Sequence, residues 1–280
     1  MIYNCKNVLK YIKDQSAQRV YKMAKKPVVA VVQFGDDEPS KRYVRNKLRD
    51  FDDVGIDWAW IPVCRNRTVS SLSSLLENLS NDPKITGIIV QRPILLEDET
   101  PENANKIVKS IMPPEKDIDG VLDNSPFLTP CVRGLEILLN EWNYDPNGKL
   151  AVVIGKGDVG QPVSKFLLQR GATVTICHSK TTLPVLLESM SMADIIVGAA
   201  GLKIPISPTH ERKGQIIVDY GIRKDETGKL HGDICDEYGV CCKYKTPVPG
   251  GMGLMVRAGL ILNILDAHNK QIKEIGYENT

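Results

Sequence analysis

Little in this sequence points to an unusual protein class. Net charge is nearly absent: 36 lysines and arginines face 34 aspartates and glutamates, for a total of +2. Such a balance offers neither the basic stripe of a nucleic-acid binder nor an acidic tail. No apolar run approaches the roughly 20 residues that cross a bilayer. The opening run MIYNCKNVLKYIKDQ lacks the charged start, apolar core and small-residue cleavage site of a secretory signal. A cytoplasmic protein with no membrane and no nucleic-acid partner is therefore expected. C-x-x-C spacing is missing too. The seven cysteines are an odd number, and the only close pair is the adjacent Cys241 and Cys242. Reduced thiols, rather than a disulfide framework, fit that pattern. His178, His210, His231 and His268 form no H-x-x-x-H or Cys/His cluster, so no metal site is expected. Repeats and low-complexity segments are also lacking.

What is present is ordinary globular material. The 280 residues are 42% hydrophobic and 25% charged, enough for one large domain or two of medium size. PVVAVVQFG (27 to 35) reads as a buried strand ending in glycine, followed by a helix that closes near DVGI. AWIPVCR, VSSLSSLLENLSND and ITGIIVQRP then read as strand, helix and strand, the last stopped by Pro93. This βαβαβ order with near-continuous apolar strands predicts a parallel sheet covered by helices. PENANKIVKSIMPPEKDIDG reads as a helix ending in a proline-rich turn. A second block starts near residue 148, with strand, glycine turn, helix and strand in KLAVVIGKGDVGQPVSKFLLQRGATVTICHSKT. MADIIVGAAG and KGQIIVDYGI add two short apolar strands. TPCVRGLEILLNEW and the final GLMVRAGLILNILDAHNKQIKE have the pattern of long helices. The expected fold class is thus α/β, with two lobes joined by long helices and a cleft between them.

Gly155, Gly157 and Gly160 spell G-x-G-x-x-G between a predicted strand and a predicted helix. One glycine makes the tight turn, one lets backbone approach a pyrophosphate, and one lets helix and strand pack closely. The helix N-terminus then offers N–H groups to phosphate charge. Lys156, Asp158 and Val159 complete this candidate cofactor loop. An NAD site usually carries Asp or Glu at the end of the next strand, to bind the ribose 2′-hydroxyl. Here that strand ends in His178, Ser179, Lys180 and Thr181. Ser179, Lys180 and Lys156 would welcome a 2′-phosphate that a carboxylate would repel, so NADP is expected over NAD.

Tyr43 and Lys47 lie four apart in PSKRYVRNKLRDFDDVGI, on one face of a helix. The spacing can put a phenol and an amine in one pocket, and it equally describes an ordinary surface helix.

Six segments in one order carry a resemblance: VVQFGDDEPSKRYVRNKLRDFDDVGI, GIIVQRPI, PPEKDIDG, GATVTICHSKT, ADIIVGAAG and KTPVPGGMGLMVRAGLILN. Together they cover about residues 27 to 265. The chain resembles the bifunctional methylenetetrahydrofolate dehydrogenase/methenyltetrahydrofolate cyclohydrolases, the FolD family. The resemblance implies that the Y-x-x-x-K helix lines the cleft, with Lys47 as the proton-transferring group and Tyr43 stacked on the aminobenzoyl part of folate. It implies that Gln91 hydrogen-bonds the lysine and that Asp119 holds the pterin ring. Thr246 to Gly253, with Pro247, Gly250 and Gly251, would close the bottom of the cleft near cofactor and substrate. A homodimer is implied as well. Residues 1–140 would then form the catalytic, folate-binding domain and 141–253 a Rossmann domain. The last helix, 254–280, would pack back onto the first domain.

The chemistry suits those roles. An amine is mostly protonated at neutral pH and a poor base, and partial burial beside a neutral amide favours its uncharged form. Such a lysine activates water to attack the amidine carbon of methenyltetrahydrofolate. A fixed carboxylate accepts two hydrogen bonds from the pterin amino and ring N–H groups. The expected reaction is NADP-dependent oxidation of 5,10-methylenetetrahydrofolate, then hydrolysis to 10-formyltetrahydrofolate.

Three segments depart from the family pattern. G-R-S-x-x-V-G-x-P reads GKGDVGQP, one residue shorter and with Lys156 in place of arginine, a point charge instead of a bidentate fork. V-Q-L-P reads VQRP, which sets Arg92 beside Gln91. P-C-T-P-x-G reads TPCVRG. These departures keep a cyclohydrolase with impaired dehydrogenase in view, and also a nucleotide-binding regulatory module without turnover. A further alternative is another two-domain dehydrogenase, acting on a small hydroxy acid such as shikimate. Short-chain dehydrogenases also use Y-x-x-x-K, but after the glycine turn; here the motif precedes it by over a hundred residues. Alone, Gln91 could serve loop backbone, Asp117 and Asp119 could be turn residues beside Gly120, and TPVPGG could be a rigid turn.

Overall fold

A computed structural model of the chain describes residues 1–35, 38–63, 67–206, 212–238 and 241–274. His210, Cys64, and Asp36 and Asp37 of the quoted segments lie outside the described residues. The protein is α/β, and its contacts divide it into two compact units. One comprises Tyr11–Pro130 and the chain from Leu260; the other comprises Met1–Lys10 and Cys131–Gly259. The first ten residues and the segment after Pro130 thus group with the second sheet, whereas the sequence reading carried the first domain from residue 1 to 140.

The first unit holds a three-stranded parallel sheet of β1 (Val28–Phe34), β2 (Asp57–Val63) and β3 (Gly87–Gln91), in the order β2-β1-β3. β1 is central, so helices cover both of its faces, and every residue from Val29 to Phe34 is buried. That burial explains its unbroken apolar run. Val29, Val31 and Ile89 pack on one face with Val44, Leu48 and Phe51 of α2 (Glu38–Val54). Ala30, Val32 and Ile88 face the opposite way, toward Leu72 and Leu76 of α3 (Val69–Asn81) and Val108 of α4 (Pro101–Ile111). Thr68 starts α3 with a reciprocal capping box to Ser71, and Thr100 caps α4 ahead of Pro101. A helix the apolar pattern did not reveal, α1 (Cys5–Tyr21), precedes them. Its Lys13 pairs with Asp50 of α2 and, at 2.6 Å, with Asp53.

The other unit begins with α5 (Pro130–Glu141), β4 (Leu150–Ile154), α6 (Gly160–Gln169), β5 (Thr173–Cys177) and α7 (Leu183–Met192). β6 (Ile195–Gly198) and β7 (Ile216–Asp219) follow. Two-residue strands, β8 (Arg223–Lys224), β9 (Leu230–His231) and β10 (Tyr244–Lys245), come next and were not legible in the sequence. The five-stranded sheet runs β10-β7-β6-β4-β5, all parallel, while β8 and β9 pair as a small antiparallel hairpin. α8 (Met252–Glu274) starts one residue before the apolar run GLMVRAG and supplies residues to both units. No described helix is long and apolar enough to cross a membrane.

Candidate active site

In the three-stranded unit, Lys47 and Gln91 meet. α2 carries Lys47 on its half-buried side, one residue before the buried Leu48, and β3 ends at Gln91. Lys47 Nζ donates to Gln91 Oε1 at 3.3 Å, while Gln91 Nε2 donates to the Arg92 carbonyl at 3.1 Å. Since a carbonyl only accepts, the second bond turns the amide oxygen toward the lysine. Tyr43 stands one turn earlier on α2 and is 58% exposed, so its ring is open to a ligand. Neither Tyr43 nor Asp119 hydrogen-bonds Lys47 or Gln91.

The segment PPEKDIDG divides its charged residues between structure and availability. Lys116, 7% exposed, donates to the carbonyls of Leu79, Ser80 and Asp82 at 3.2, 2.7 and 2.7 Å, capping the C-terminus of α3. Burial holds its ammonium below the usual lysine range. Asp117, 1% exposed, accepts from the backbone N–H groups of Val121 and Leu122 at 3.1 and 2.9 Å. Burial pushes its carboxyl up despite those bonds. Asn263 of α8 holds the same loop by donating to the carbonyls of Ile118 and Leu128 at 2.9 and 2.8 Å. Asp119 is only half-buried, and its carboxylate takes no hydrogen bond from a described residue. Of the two aspartates, Asp117 builds the loop and Asp119 stays available.

In the five-stranded unit, the turn from Gly155 to Gly160 joins β4 to α6. Gly155 has φ +116°, and a Cβ there would lie 2.2 Å from the Ala199 carbonyl oxygen. A Cβ on Gly160 would lie 2.1 Å from the Gly155 carbonyl oxygen, which is the close helix-to-strand packing the motif requires. A Cβ on Gly157 would meet nothing within 4 Å. Lys156, Gly157 and Asp158 are exposed, Val159 half-buried and Gly160 buried. Gly155 N–H donates to the Cys177 carbonyl at 2.8 Å, which sets the turn beside the end of β5. There His178 and Thr181 close a turn on themselves. His178 N–H donates to Thr181 Oγ1 at 2.9 Å and Thr181 N–H to the His178 carbonyl at 2.8 Å. Ser179 and Lys180 are left exposed, and no carboxylate occupies this strand end. An open glycine at the N-terminal end of a ten-residue helix, with a hydroxyl and a cation alongside, fits a phosphorylated dinucleotide.

The same unit carries the segment from Thr246 to Gly253. Thr246 is fully buried, and its hydroxyl oxygen accepts from Asp219 N–H at 2.8 Å. Pro247 and Gly250 are half-buried and Gly251 is buried. Beneath the segment lie two carboxylates the sequence did not single out. Asp219 accepts from Gly221, Asp233 and Ile234 N–H groups at 2.8, 3.1 and 2.9 Å. Asp233 accepts from Ala200, Gly201 and Leu202 at 2.6, 3.1 and 2.6 Å. These six bonds set the loops that leave β6 and β7. Burial pushes Asp219 up to about 6 against those favourable bonds, with the Asp233 charge adding to the rise. Lys245, 7% exposed, donates to the carbonyls of Cys235, Asp236 and Tyr238 at 2.6, 3.2 and 2.7 Å.

Comparison with known proteins matches both units. The profile described as Tetrahydrofolate dehydrogenase/cyclohydrolase, catalytic domain, covers residues 3–119. The profile for the NAD(P)-binding domain of the same proteins covers residues 129–272. The chain belongs to the tetrahydrofolate dehydrogenase/cyclohydrolase family. Within that family, the bifunctional protein FolD of Brevibacillus brevis is 37% identical, with 96% of this chain and 97% of the relative covered. The FolD crystal structure from Campylobacter jejuni superposes with a TM-score of 0.88 at 31% identity, over 96% of this chain and 99% of that one. A Trypanosoma brucei family structure complexed with NADP and an inhibitor gives a TM-score of 0.85 at 26% identity, covering 98% of both chains.

Sequence reasoning overlooked Gln33 as well as Asp219 and Asp233. The signal was visible: Gln33 is the one polar residue in VVAVVQF.

Proposed function

We propose that this tetrahydrofolate dehydrogenase/cyclohydrolase oxidises 5,10-methylenetetrahydrofolate with NADP. It then hydrolyses the resulting 5,10-methenyltetrahydrofolate to 10-formyltetrahydrofolate. The observation that carries the reading is the Lys47–Gln91 hydrogen bond of 3.3 Å, with the amide oxygen turned to the lysine. In this reading the Lys47 amine takes a proton from water as the water oxygen bonds to the methenyl carbon. The C=N electron pair retreats onto nitrogen. The resulting ammonium then gives its proton to N5 as the carbon–N5 bond breaks, and the hydroxyl proton leaves to solvent. One water is consumed and one proton released. Tyr43, exposed one turn away, offers a ring for the aminobenzoyl group to stack on. Asp119 offers its open carboxylate to the pterin N–H donors.

When bound, NADP supplies the hydride acceptor for the oxidation. Gly155, Lys156, Gly157, Asp158, Val159 and Gly160 would hold its pyrophosphate, with the exposed Gly157 permitting close approach. Ser179 and Lys180 would take the 2′-phosphate, on a turn that His178 and Thr181 hold shut. Pro247, Gly250 and Gly251 belong to a segment anchored by Thr246, placed here beside cofactor and substrate as the family resemblance implies. A cytoplasmic homodimer is part of the same proposal.

The test mixes the protein with methylenetetrahydrofolate and NADP, then NAD, and follows nucleotide absorbance; methenyltetrahydrofolate decay is followed separately. Reduction of NADP together with hydrolysis is expected. Hydrolysis without reduction of either nucleotide would reduce the protein to a cyclohydrolase whose shortened glycine turn no longer serves hydride transfer. Failure of both reactions would overturn the reading.

A further inference from the structure

Gln33 is buried in the sheet of the three-stranded unit, 1% exposed, and polar. Residues of β1 alternate between the two faces, and Val29 and Val31 point toward α2. Gln33 therefore shares the α2 face. Its register partner on β3 is Gln91, on the same face, because paired residues of neighbouring parallel strands point the same way. Lys47, which hydrogen-bonds Gln91, comes down on that face from α2.

One end of the Gln33 amide is accounted for. Trp60 Nε1–H donates to Gln33 Oε1 at 3.1 Å. Indole is only a donor, so the oxygen must be the atom that faces it. Trp60 lies on β2, on one side of β1, while β3 with Gln91 lies on the other. A planar amide held by its oxygen toward β2 turns its nitrogen away from that side. Gln33 Nε2 has no hydrogen-bond partner among the described residues. A buried N–H donor without an acceptor is costly, and such groups commonly hold a water.

We propose that Gln33 is a positioning residue for the hydrolytic step. Its Nε2 donates a hydrogen bond to the water that attacks the methenyl carbon, holding that water beside Gln91 and within reach of Lys47. Trp60 locks the amide so that the nitrogen, not the oxygen, faces the water. The water then receives one donor from Gln33 and keeps both its own protons, one for Lys47. A single hydrogen bond that fixes the nucleophile contributes through orientation. The inference rests on Lys47 being the proton-transferring group.

The experiment compares wild type, Q33L, Q33E, W60F and Lys47→Met in methenyltetrahydrofolate hydrolysis and thermal unfolding. Q33L is expected to lower kcat about tenfold, the worth of one well-placed hydrogen bond, with KM held within about twofold. Its Tm should stay close to that of wild type, because removing the orphaned Nε2 offsets the loss of the Trp60 hydrogen bond. Q33E keeps an acceptor for Trp60 but turns an acceptor to the water, and should lose at least as much kcat as Q33L. W60F should lose less. Wild-type kcat in Q33L overturns the inference. So does a loss of kcat accompanied by a lowered Tm and a raised KM, which would make Gln33 merely structural. If Lys47→Met hydrolyses as well as wild type, the assignment of Lys47 falls first and the positioning role falls with it. A Lys47→Met loss with an unaffected Q33L removes the Gln33 role alone.

Discussion

Gln91 donates its amide nitrogen to the carbonyl of Arg92, the next residue in the chain, at 3.1 Å. That bond decides which atom of Gln91 Lys47 meets. The arginine that departs from the family pattern acts here through its backbone, which any residue at position 92 would supply. The VQRP variation thus leaves the lysine–glutamine contact intact.

Replacing Lys47 by Met keeps most of the stem while removing the amine. Hydrolysis of methenyltetrahydrofolate should fall about a thousandfold, within the range for loss of a general base. Thermal stability should hold, since the lost contact is one half-buried hydrogen bond. Decay of methenyl absorbance, set against a Tm measurement, checks both statements.

The glycine turn separates folding from binding. Gly155→Ala should destabilise the five-stranded unit by roughly 1–3 kcal/mol, the cost of a residue held in a poorly populated backbone region, plus the clash with Ala199. Gly157→Ala should keep wild-type Tm, because its Cβ meets nothing within 4 Å, yet raise the KM for NADP. NADP should then raise the Tm of Gly157→Ala less than that of wild type.

Lys180→Ala tests the 2′-phosphate contact. Its side chain is exposed, so stability should not change. The KM for NADP should rise while that for NAD stays the same, and the rise should shrink in high salt. Equal effects on both nucleotides would remove Lys180 from phosphate binding.

Lys116→Met should destabilise without touching chemistry. The ammonium loses three carbonyl acceptors at the C-terminus of α3. A loss of about 2–3 kcal/mol is expected, as for charge-assisted hydrogen bonds, read from denaturant midpoints with kcat unchanged.

Asp219 should make stability fall as pH rises. Its folded value is pushed up to about 6 from an ordinary 3.8. Below about pH 4 the carboxyl is protonated in both folded and unfolded chains and imposes no penalty. Between about pH 4 and 6 the unfolded chain gives up the proton while the folded one holds it, and the group's contribution drops by about 3 kcal/mol. The stability advantage of wild type over Asp219→Asn should shrink across that window in urea titrations.

The sequence disclosed its strands readily because buried parallel strands are apolar along their whole length, as in Val29 to Val32 and Ile195 to Val197. α1 escaped notice because its apolar residues are interspersed with charged and polar ones, and it is fastened partly by Lys13 to Asp50 and Asp53. β8, β9 and β10 are two residues each, too short for any period to register. The glycine turn could be read from local spacing. The Lys47–Gln91 contact, 44 residues apart, could not, and only resemblance pointed to it. The division of labour between Asp117 and Asp119 depends on which carboxylate the loop encloses, and two aspartates flanking one isoleucine look alike on paper.

The pairing of Gln33 with Gln91 ties the candidate chemistry to the backbone ladder at the centre of its unit. Amides of such ladders exchange with deuterium only when much of the unit opens. Residues proposed to pass protons would therefore be seated on strands whose own amides trade protons with water slowly. Loop-borne catalytic groups can stray without the fold noticing; Gln91 moves only when β3 does.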